Sequence, residues 1–212
     1  MNLKNKRILI TAGPTWVPID KVRVISNAAS GETGILLSEK FKNLGAKVTL
    51  LLGPAQYCCL DKKIKLIRFR LFNELKSLIE KELRFKKYDI VIHSAAVSDY
   101  KPAKFYSCKI KSGMLGLQLK LVPTQKIIDL LKIISPHSLL VGFKFEPGAN
   151  RAGLIGKAKK LMRRANLDLA VANSIKQNKY SAYILDRKQI YGPFSDKKEM
   201  SDKLVNLIGG SL

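Results

Sequence analysis

Three features of the sequence predict an α/β chain built on a doubly wound, mostly parallel sheet. Short apolar runs of strand length alternate with amphipathic segments of helix length along most of the chain. The run Asp89-Ile90-Val91-Ile92-His93 lacks polar alternation, as expected of a strand covered on both faces. The segment from Arg7 to Pro54 reads as strand, long loop, helix and strand with glycines at the helix start, which makes the fold Rossmann-like. In a tight dinucleotide turn, G-x-G-x-x-G runs directly from strand to helix so that a pyrophosphate lies on the helix N-terminus. Here the turn is split. Thr11-Ala12-Gly13-Pro14-Thr15 ends the strand, and Ser26-Asn27-Ala28-Ala29-Ser30-Gly31-Glu32-Thr33-Gly34 opens the helix. The loop between them is long enough to carry chemistry of its own.

The elements follow in order. A strand at Arg7 to Thr11, a helix from Glu32 to Asn43 and a strand at Lys47 to Leu52, bounded by Gly45 and Gly53-Pro54, make one βαβ unit. Lys65 to Phe69 reads as a strand. Asn73 to Lys86 reads as an amphipathic helix, with Leu75, Leu78, Ile79 and Leu83 on one face and Asn73 as its N-cap. After the strand at Asp89 to His93, Lys109-Ile110-Lys111 and Gly116 to Leu121 alternate about a Ser112-Gly113 turn, which predicts a projecting β-hairpin flap over 109–121. Pro123 to Ile134 is expected to be helical, Ser138 to Phe143 a strand and Arg151 to Ala165 a basic helix. Leu167 to Ala172 is expected to be a strand, Ser181 to Asp186 with Lys188 to Tyr191 a closing hairpin, and Lys197 to Ile208 the last helix. With no repeat, low-complexity linker or shift in composition, residues 1–212 are expected to form a single domain.

The bulk composition excludes several classes. The 212 residues are 46% hydrophobic and 26% charged, the balance of a globular chain. No apolar run approaches the roughly 20 residues needed to span a bilayer, and the N-terminal residues lack a signal-peptide pattern, so a cytoplasmic protein with no membrane partner is expected. Cys58, Cys59 and Cys108 form neither an even disulfide set nor a metal spacing and read as reduced thiols. Lys and Arg total 39 against 16 Asp and Glu, a net charge of +23 that attracts polyanions. Those cations are spread from Lys4 to Lys203 without a nucleic-acid-binding motif, so no nucleic-acid partner is expected; a basic cleft for a triphosphate fits the same charge.

In open parallel sheets ligands bind outside the carboxyl ends of the strands, which directs attention to Thr11–Thr15 and His93–Asp99. Asn27 can donate and accept at once, suiting a carboxylate or mixed anhydride; an Asx-turn or the cap of the following helix is the competing reading. In His93-Ser94-Ala95-Ala96-Val97-Ser98-Asp99 the small residues permit close approach of a base or ribose, and Asp99 can accept from it or simply make a turn before Pro102. His93 reads as a packing residue, since no nucleophile pattern accompanies it. Lys109 and Lys111 would share a strand face, from which a lysine can swing over a cleft or merely be solvated. Lys160 and Arg164 are one helical turn apart and suit two oxygens of a polyphosphate, or a solvated face. A Y-x-x-x-K match at Tyr100–Lys104 is set aside because Pro102 prevents the helix it requires.

Together these motifs, ITAGPT, PID-VR-ISN, SG-TG, GAKVTL-GP, SAAVSDYKPA, KIK, LVPT, VGF and NLDL-VAN, resemble the phosphopantothenoylcysteine synthetase family over nearly the whole chain. The upstream decarboxylase half found in many bacterial members is not in this sequence, which looks like a stand-alone synthetase. The resemblance implies a ligase that activates the carboxylate of 4'-phosphopantothenate with CTP as an acyl-cytidylate, releases pyrophosphate and joins L-cysteine, with Mg²⁺ and as a homodimer. It implies that Asn27 and Lys109 are catalytic, and that Arg23, Asn27 and Ala96 bind the acid. The nucleotide would be held by Gly13, His93, Ser94, Ala95, Asp99 and Lys109, by Val122, Pro123, Thr124 and Gln125, and by Phe143, Lys160 and Arg164. The metal ligands stay unassigned.

The chain departs from the family pattern in places. A KIKK flap is KIKS here and its turn is short; lysines four apart on the basic helix are Leu161 and Ala165 unless the register moves by one to Lys160 and Arg164. The AND motif is Ala172-Asn173-Ser174, and an acidic FGSDEN-type stretch is Asn178-Lys179-Tyr180-Ser181-Ala182. Two other classes compete: an NAD(P)-dependent oxidoreductase, disfavoured by the split turn, and a non-enzymatic polyanion-binding protein.

Overall fold

The computed structural model of the chain describes residues 3–55 and 60–211. Along the chain lie β1 (Arg7–Ala12), β2 (Trp16–Pro18), β3 (Val24–Ser26), α1 (Glu32–Asn43), β4 (Lys47–Leu52), β5 (Lys65–Arg68), α2 (Phe72–Phe85), β6 (Ile90–His93) and β7 (Tyr100–Pro102). There follow β8 (Leu121–Pro123), α3 (Ile127–Ile134), β9 (Leu139–Phe145), α4 (Arg151–Ala165), β10 (Leu169–Lys176), β11 (Lys179–Leu185), β12 (Ile190–Phe194) and α5 (Lys197–Gly210). Eight strands form one sheet in the order β12-β11-β10-β9-β6-β1-β4-β5. The six from β5 to β10 are parallel, while β11 and β12 close the sheet antiparallel.

The parallel part has the doubly wound strand order, in which the chain starts at β1, runs outward to β5 and restarts on the other side at β6. The two halves diverge between β1 and β6. At their carboxyl ends the connecting loops turn apart and leave a crevice.

Period-two alternation sorts the side chains to the two faces. Ile8, Ile10, Leu50, Leu52, Ile90 and Ile92 pack with Phe41 of α1 and Leu204 of α5. The intervening Leu9, Leu51 and Val91 pack with Leu75 of α2, Leu131 of α3 and Leu154 of α4. Each such buried side chain contributes about 1.5–3 kcal/mol, so both faces resist any shift of register.

Several expectations are corrected. Asn73 does not cap α2: the Glu74 carboxylate takes the amides of Arg70 and Leu71, at 2.7 and 3.0 Å. Helix α3 starts at Ile127, because Leu121–Pro123 is drawn into pairing with β7 and Thr124 donates to the Asp99 carbonyl. The split turn holds a small β2–β3 hairpin. Cys108 is an exposed free thiol, and Cys58 and Cys59 lie outside the described residues. Among the described residues no helix is long and apolar enough to cross a membrane.

Gly34 lets α1 lie against β1: a Cβ there would sit 2.4 Å from that of Ala12 and 3.1 Å from Ser94 Oγ. Gly34→Ala is therefore expected to destabilise the fold by about 1–3 kcal/mol, read as a lower midpoint in urea at unchanged slope.

Candidate functional site

The crevice is built by two loops that continue the pairing of β1 with β6 past the end of the sheet. Regular pairing ends at Thr11 and His93. Beyond it the Ala96 amide donates to the Gly13 carbonyl (2.9 Å) and the Thr15 amide to the Ala96 carbonyl (3.3 Å). Thr15 and Ser98, both buried, then lock together: the Ser98 amide donates to Thr15 Oγ1 at 3.0 Å, and the Ser98 hydroxyl donates to the Thr15 carbonyl at 3.2 Å. Thr124 ties in the next loop by donating to the Ser98 carbonyl at 2.6 Å. On the other flank Gly53 must be glycine, since a Cβ there would lie 2.2 Å from the Pro14 carbonyl oxygen. In the sequence Thr15 and Ser98 stand only as motif letters, because their roles depend on a contact across 83 residues.

Behind this edge His93 is buried, its Nδ1 2.8 Å from Thr11 Oγ1. The same hydroxyl accepts the Ala95 amide at 3.3 Å, tying the ring's partner to the loop after β6. Burial pushes the imidazole down to about 4, so it is neutral at physiological pH; the ring also lines the second of the two cavities described below.

Helix α1 is entered through its N-cap Gly31, which is left-handed (φ 76°) and makes no side-chain cap hydrogen bond. The Glu32 amide donates to Ser30 Oγ at 3.3 Å, while Thr33 and Gly34 of the same turn line the crevice, an arrangement suited to an anion. Asn27 is not the cap. Its Nδ2 donates to the carbonyls of Ala96 and Val97, at 3.0 and 3.2 Å, stapling the loop after β3 to the loop after β6. The expectation that Asn27 both donates and accepts toward a ligand is corrected accordingly: its N–H groups are committed, and Oδ1 and the neighbouring backbone remain.

Two cavities occupy the crevice. The first, about 590 Å³, is lined by Gly13, Asn27, Gly31, Gly34, Ser94, Ala96, Asn173 and Tyr180 among others. The second, about 410 Å³, is lined by His93, Asp99, Thr124, Gln125, Lys160 and Arg164 among others. Ala95, Val97, Phe143 and Lys144 line both and form the wall between them. Most of the predicted residues are therefore brought together. Val122 and Pro123 are in β8, and neither they, Arg23 nor Lys109 line either cavity.

The second cavity is strongly cationic. Lys126, Lys144, Lys157, Lys160 and Arg164 line it against only Asp99 and Glu146. Lys126 pairs with Asp99, Lys144 and Lys157 with Glu146, and Arg164 with Asp129, while Lys160 has no partner among the described residues. Exposed pairs of this kind are worth about 0–1 kcal/mol each, so a polyphosphate can take over these cations at small cost. Lys157 was not singled out from the sequence; it lies one turn from Lys160 and Leu161, which is the signal that could have found it. In the first cavity the buried Asn173 Oδ1 has no hydrogen-bond partner. An unmet buried acceptor of this kind costs about 1–3 kcal/mol.

The flap differs from its prediction. Residues 109–120 contain no strand; the antiparallel pair is β7 with β8, and Lys109 and Lys111 share no strand face. Lys109 is exposed, with no partner for its ammonium group among the described residues. Arg23 Nη1 donates to Asp20 at 2.6 Å and to the Ile110 carbonyl at 3.2 Å, so that end of its guanidinium bridges the β2–β3 turn and the flap.

A doubly wound sheet with a split turn and a cationic cavity at the switch point defines a Rossmann-like α/β domain. More particularly, the chain belongs to the DNA/pantothenate metabolism flavoprotein C-terminal domain family, whose sequence model matches residues 3–210, in agreement with the motif resemblance. It is 42% identical over 175 residues to the coenzyme A biosynthesis bifunctional protein CoaBC of Thermococcus kodakarensis, covering 82% of this chain and 43% of that protein. The chain spans about half the length of the curated relatives it matches. The crystal structure of the DNA/pantothenate metabolism flavoprotein from Streptococcus pneumoniae superposes with a TM-score of 0.87 at 26% identity, over 98% of this chain and all of that one. A Cab2 variant in complex with phosphopantothenate-cysteine shares the fold at a TM-score of 0.75 and 19% identity, over 97% of this chain and 89% of that one.

The buried imidazole carries a pH dependence. Between about 6.5 and about 4 the unfolded chain binds a proton that folded His93 refuses, so stability falls as pH drops through this window. Urea midpoints measured from pH 7 to pH 4 should show this component, and His93→Gln should remove it.

Proposed function

We propose that the domain is a phosphopantothenate–cysteine ligase of coenzyme A biosynthesis. The acid carboxylate attacks the α-phosphorus of CTP, pyrophosphate leaves, and the cysteine amine then displaces CMP from the acyl carbon with loss of a proton. The observation that carries this reading is the pairing of a cationic cavity with a glycine- and amide-lined one across the shared wall of Ala95, Val97 and Phe143. Activation of a carboxylate requires two substrates side by side with reacting atoms about 3–3.5 Å apart, and adjoining cavities suit that need. Family membership, the CoaBC relatives and the phosphopantothenate-cysteine carried by the Cab2 variant support the same assignment.

In this reading the triphosphate lies along Lys157, Lys160 and Arg164, with the nucleoside against Asp99, the Thr124–Gln125 turn and Phe143. Asn27 and Ala96 frame the acid, and Lys109 is carried over the α-phosphate to neutralise its developing charge. CTP is the proposed nucleotide, and the cytoplasm the proposed setting. Mg²⁺ is proposed to arrive on the phosphates. Among the described residues no three His, Cys, Asp or Glu side chains cluster, and the two carboxylates lining the cationic cavity are already paired with lysines. That donor set fits an ion held mainly by phosphate oxygens and water, which would offset phosphate charge. A homodimer is proposed as well, supported by exposed apolar side chains on the β2–β3 hairpin and the flap, Val22, Val24, Phe105, Leu117 and Leu121. Sedimentation velocity should give twice the chain mass.

Incubation with 4'-phosphopantothenate, cysteine and CTP should release pyrophosphate and yield the amide by mass spectrometry; omission of the acid should abolish both. Lys109→Gln should lower turnover by about 10²–10³-fold with the fold intact, and wild-type turnover in that variant would remove Lys109 from catalysis. Asn27→Asp would set a carboxylate oxygen against the Ala96 and Val97 carbonyls, opening the staple. A turnover loss of about 10²-fold is expected.

A further inference from the structure

Asp20 is the most heavily hydrogen-bonded side chain near the site, yet it lines neither cavity. Its side chain is fully buried at the turn between β2 and β3. One carboxylate oxygen, Oδ1, accepts the amides of Val22 (2.8 Å) and Arg23 (2.7 Å), which closes the turn. The other, Oδ2, accepts the Arg23 guanidinium (2.6 Å) and the amide of Ile110 (3.0 Å), which lies 90 residues away in the flap. Arg23 completes the ring by donating to the Ile110 carbonyl at 3.2 Å. The Tyr106 amide also donates to the Ile19 carbonyl, at 3.0 Å. The flap is therefore tied to the hairpin at Tyr106 and Ile110.

Lys109 lies between these two ties, one residue from the second. Successive Cα atoms are about 3.8 Å apart, so fixing Ile110 on both its N–H and its C=O confines the backbone of Lys109 as well. Past Ile110, residues 111–119 carry no comparable backbone tie among the described residues. Four donors on one carboxylate, with the Ile110 amide the largest influence, hold Asp20 well below the usual carboxylate range, so this link is ionic throughout the physiological range.

We infer that Asp20 is a positioning residue which, through Oδ2, fastens the root of the flap and with it Lys109 to the hairpin bearing Arg23. The catalytic part of this inference rests on the proposed ligase reading; the mechanical part does not. The two oxygens have separate duties, and this makes the link separable from the fold. An asparagine at position 20 keeps one acceptor oxygen for the Val22 and Arg23 amides, but its Nδ2 would face the Ile110 amide and the Arg23 guanidinium as donor against donor.

The test combines Asp20→Asn with Ile110→Pro, which removes the same hydrogen bond from the flap side and leaves the Asp20 turn untouched. Amide hydrogen exchange, followed in peptides spanning residues 106–112, should accelerate at least about tenfold in Asp20→Asn while the protection of α1 and β1 is retained. In the ligase assay both variants should lose about 10- to 100-fold in kcat, with KM for CTP and cysteine within about threefold of wild type. Unchanged exchange in Asp20→Asn overturns the tether. Accelerated exchange with unchanged kcat in both variants overturns the positioning of Lys109, and so does a loss expressed in KM alone. A wild-type protein that forms no amide overturns the ligase reading instead, and the exchange experiment still decides the tether.

Discussion

The site depends on a backbone pairing that does not stop where the sheet stops. The Gly13 carbonyl and Ala96 amide, then Thr15 and Ser98, extend the β1–β6 ladder into the two loops that diverge at the switch point. Buried amides and carbonyls cannot be left unpaired without a cost of about 1–3 kcal/mol each, so the loops have few alternatives to this path. Several loop residues of the crevice hang from this zipper. Asn27 is stapled to its Ala96 and Val97 carbonyls, Thr124 to its Ser98 carbonyl, and Gly53 is pressed against its Pro14.

Charge is arranged on top of that frame in two ways. Around the second cavity the cations are exposed and loosely paired, so a phosphate can recruit them without breaking anything structural. At Asp20 the opposite holds: a buried carboxylate has both oxygens committed, and its removal would strand Arg23 and two loops. The first arrangement suits binding and release, the second a fixed joint. The net charge of +23 taken alone distinguishes neither.

Legibility differs by length scale. Strands β1, β4 and β6 and helices α1 and α4 were read almost to the residue, because their apolar period matches the burial that the sheet imposes. The flap was read wrongly for a related reason. Lys109-Ile110-Lys111 alternates like a strand, but the chain there is anchored by side chain and backbone contacts to the β2–β3 hairpin and has no strand partner. Alternation reports a half-buried face, not the element that buries it. Similarly, helical spacing placed Lys160 and Arg164 on one face and both line one cavity, whereas the places of Lys157, Asn173 and the Thr15–Ser98 lock needed neighbours far along the chain.

By itself the sequence determined the alternating elements, the split turn and the family motifs, since local periodicity, glycine placement and motif order are written in adjacent residues. Only the tertiary structure decided that Asn27 spends its N–H groups on the neighbouring loop, that Arg23 faces Asp20 and the flap, and that Phe143 divides two cavities. Hydrogen-bond donors and acceptors are assigned by which groups meet, and apart from the local Arg23–Asp20 pair these meet across 69 to 87 residues of chain.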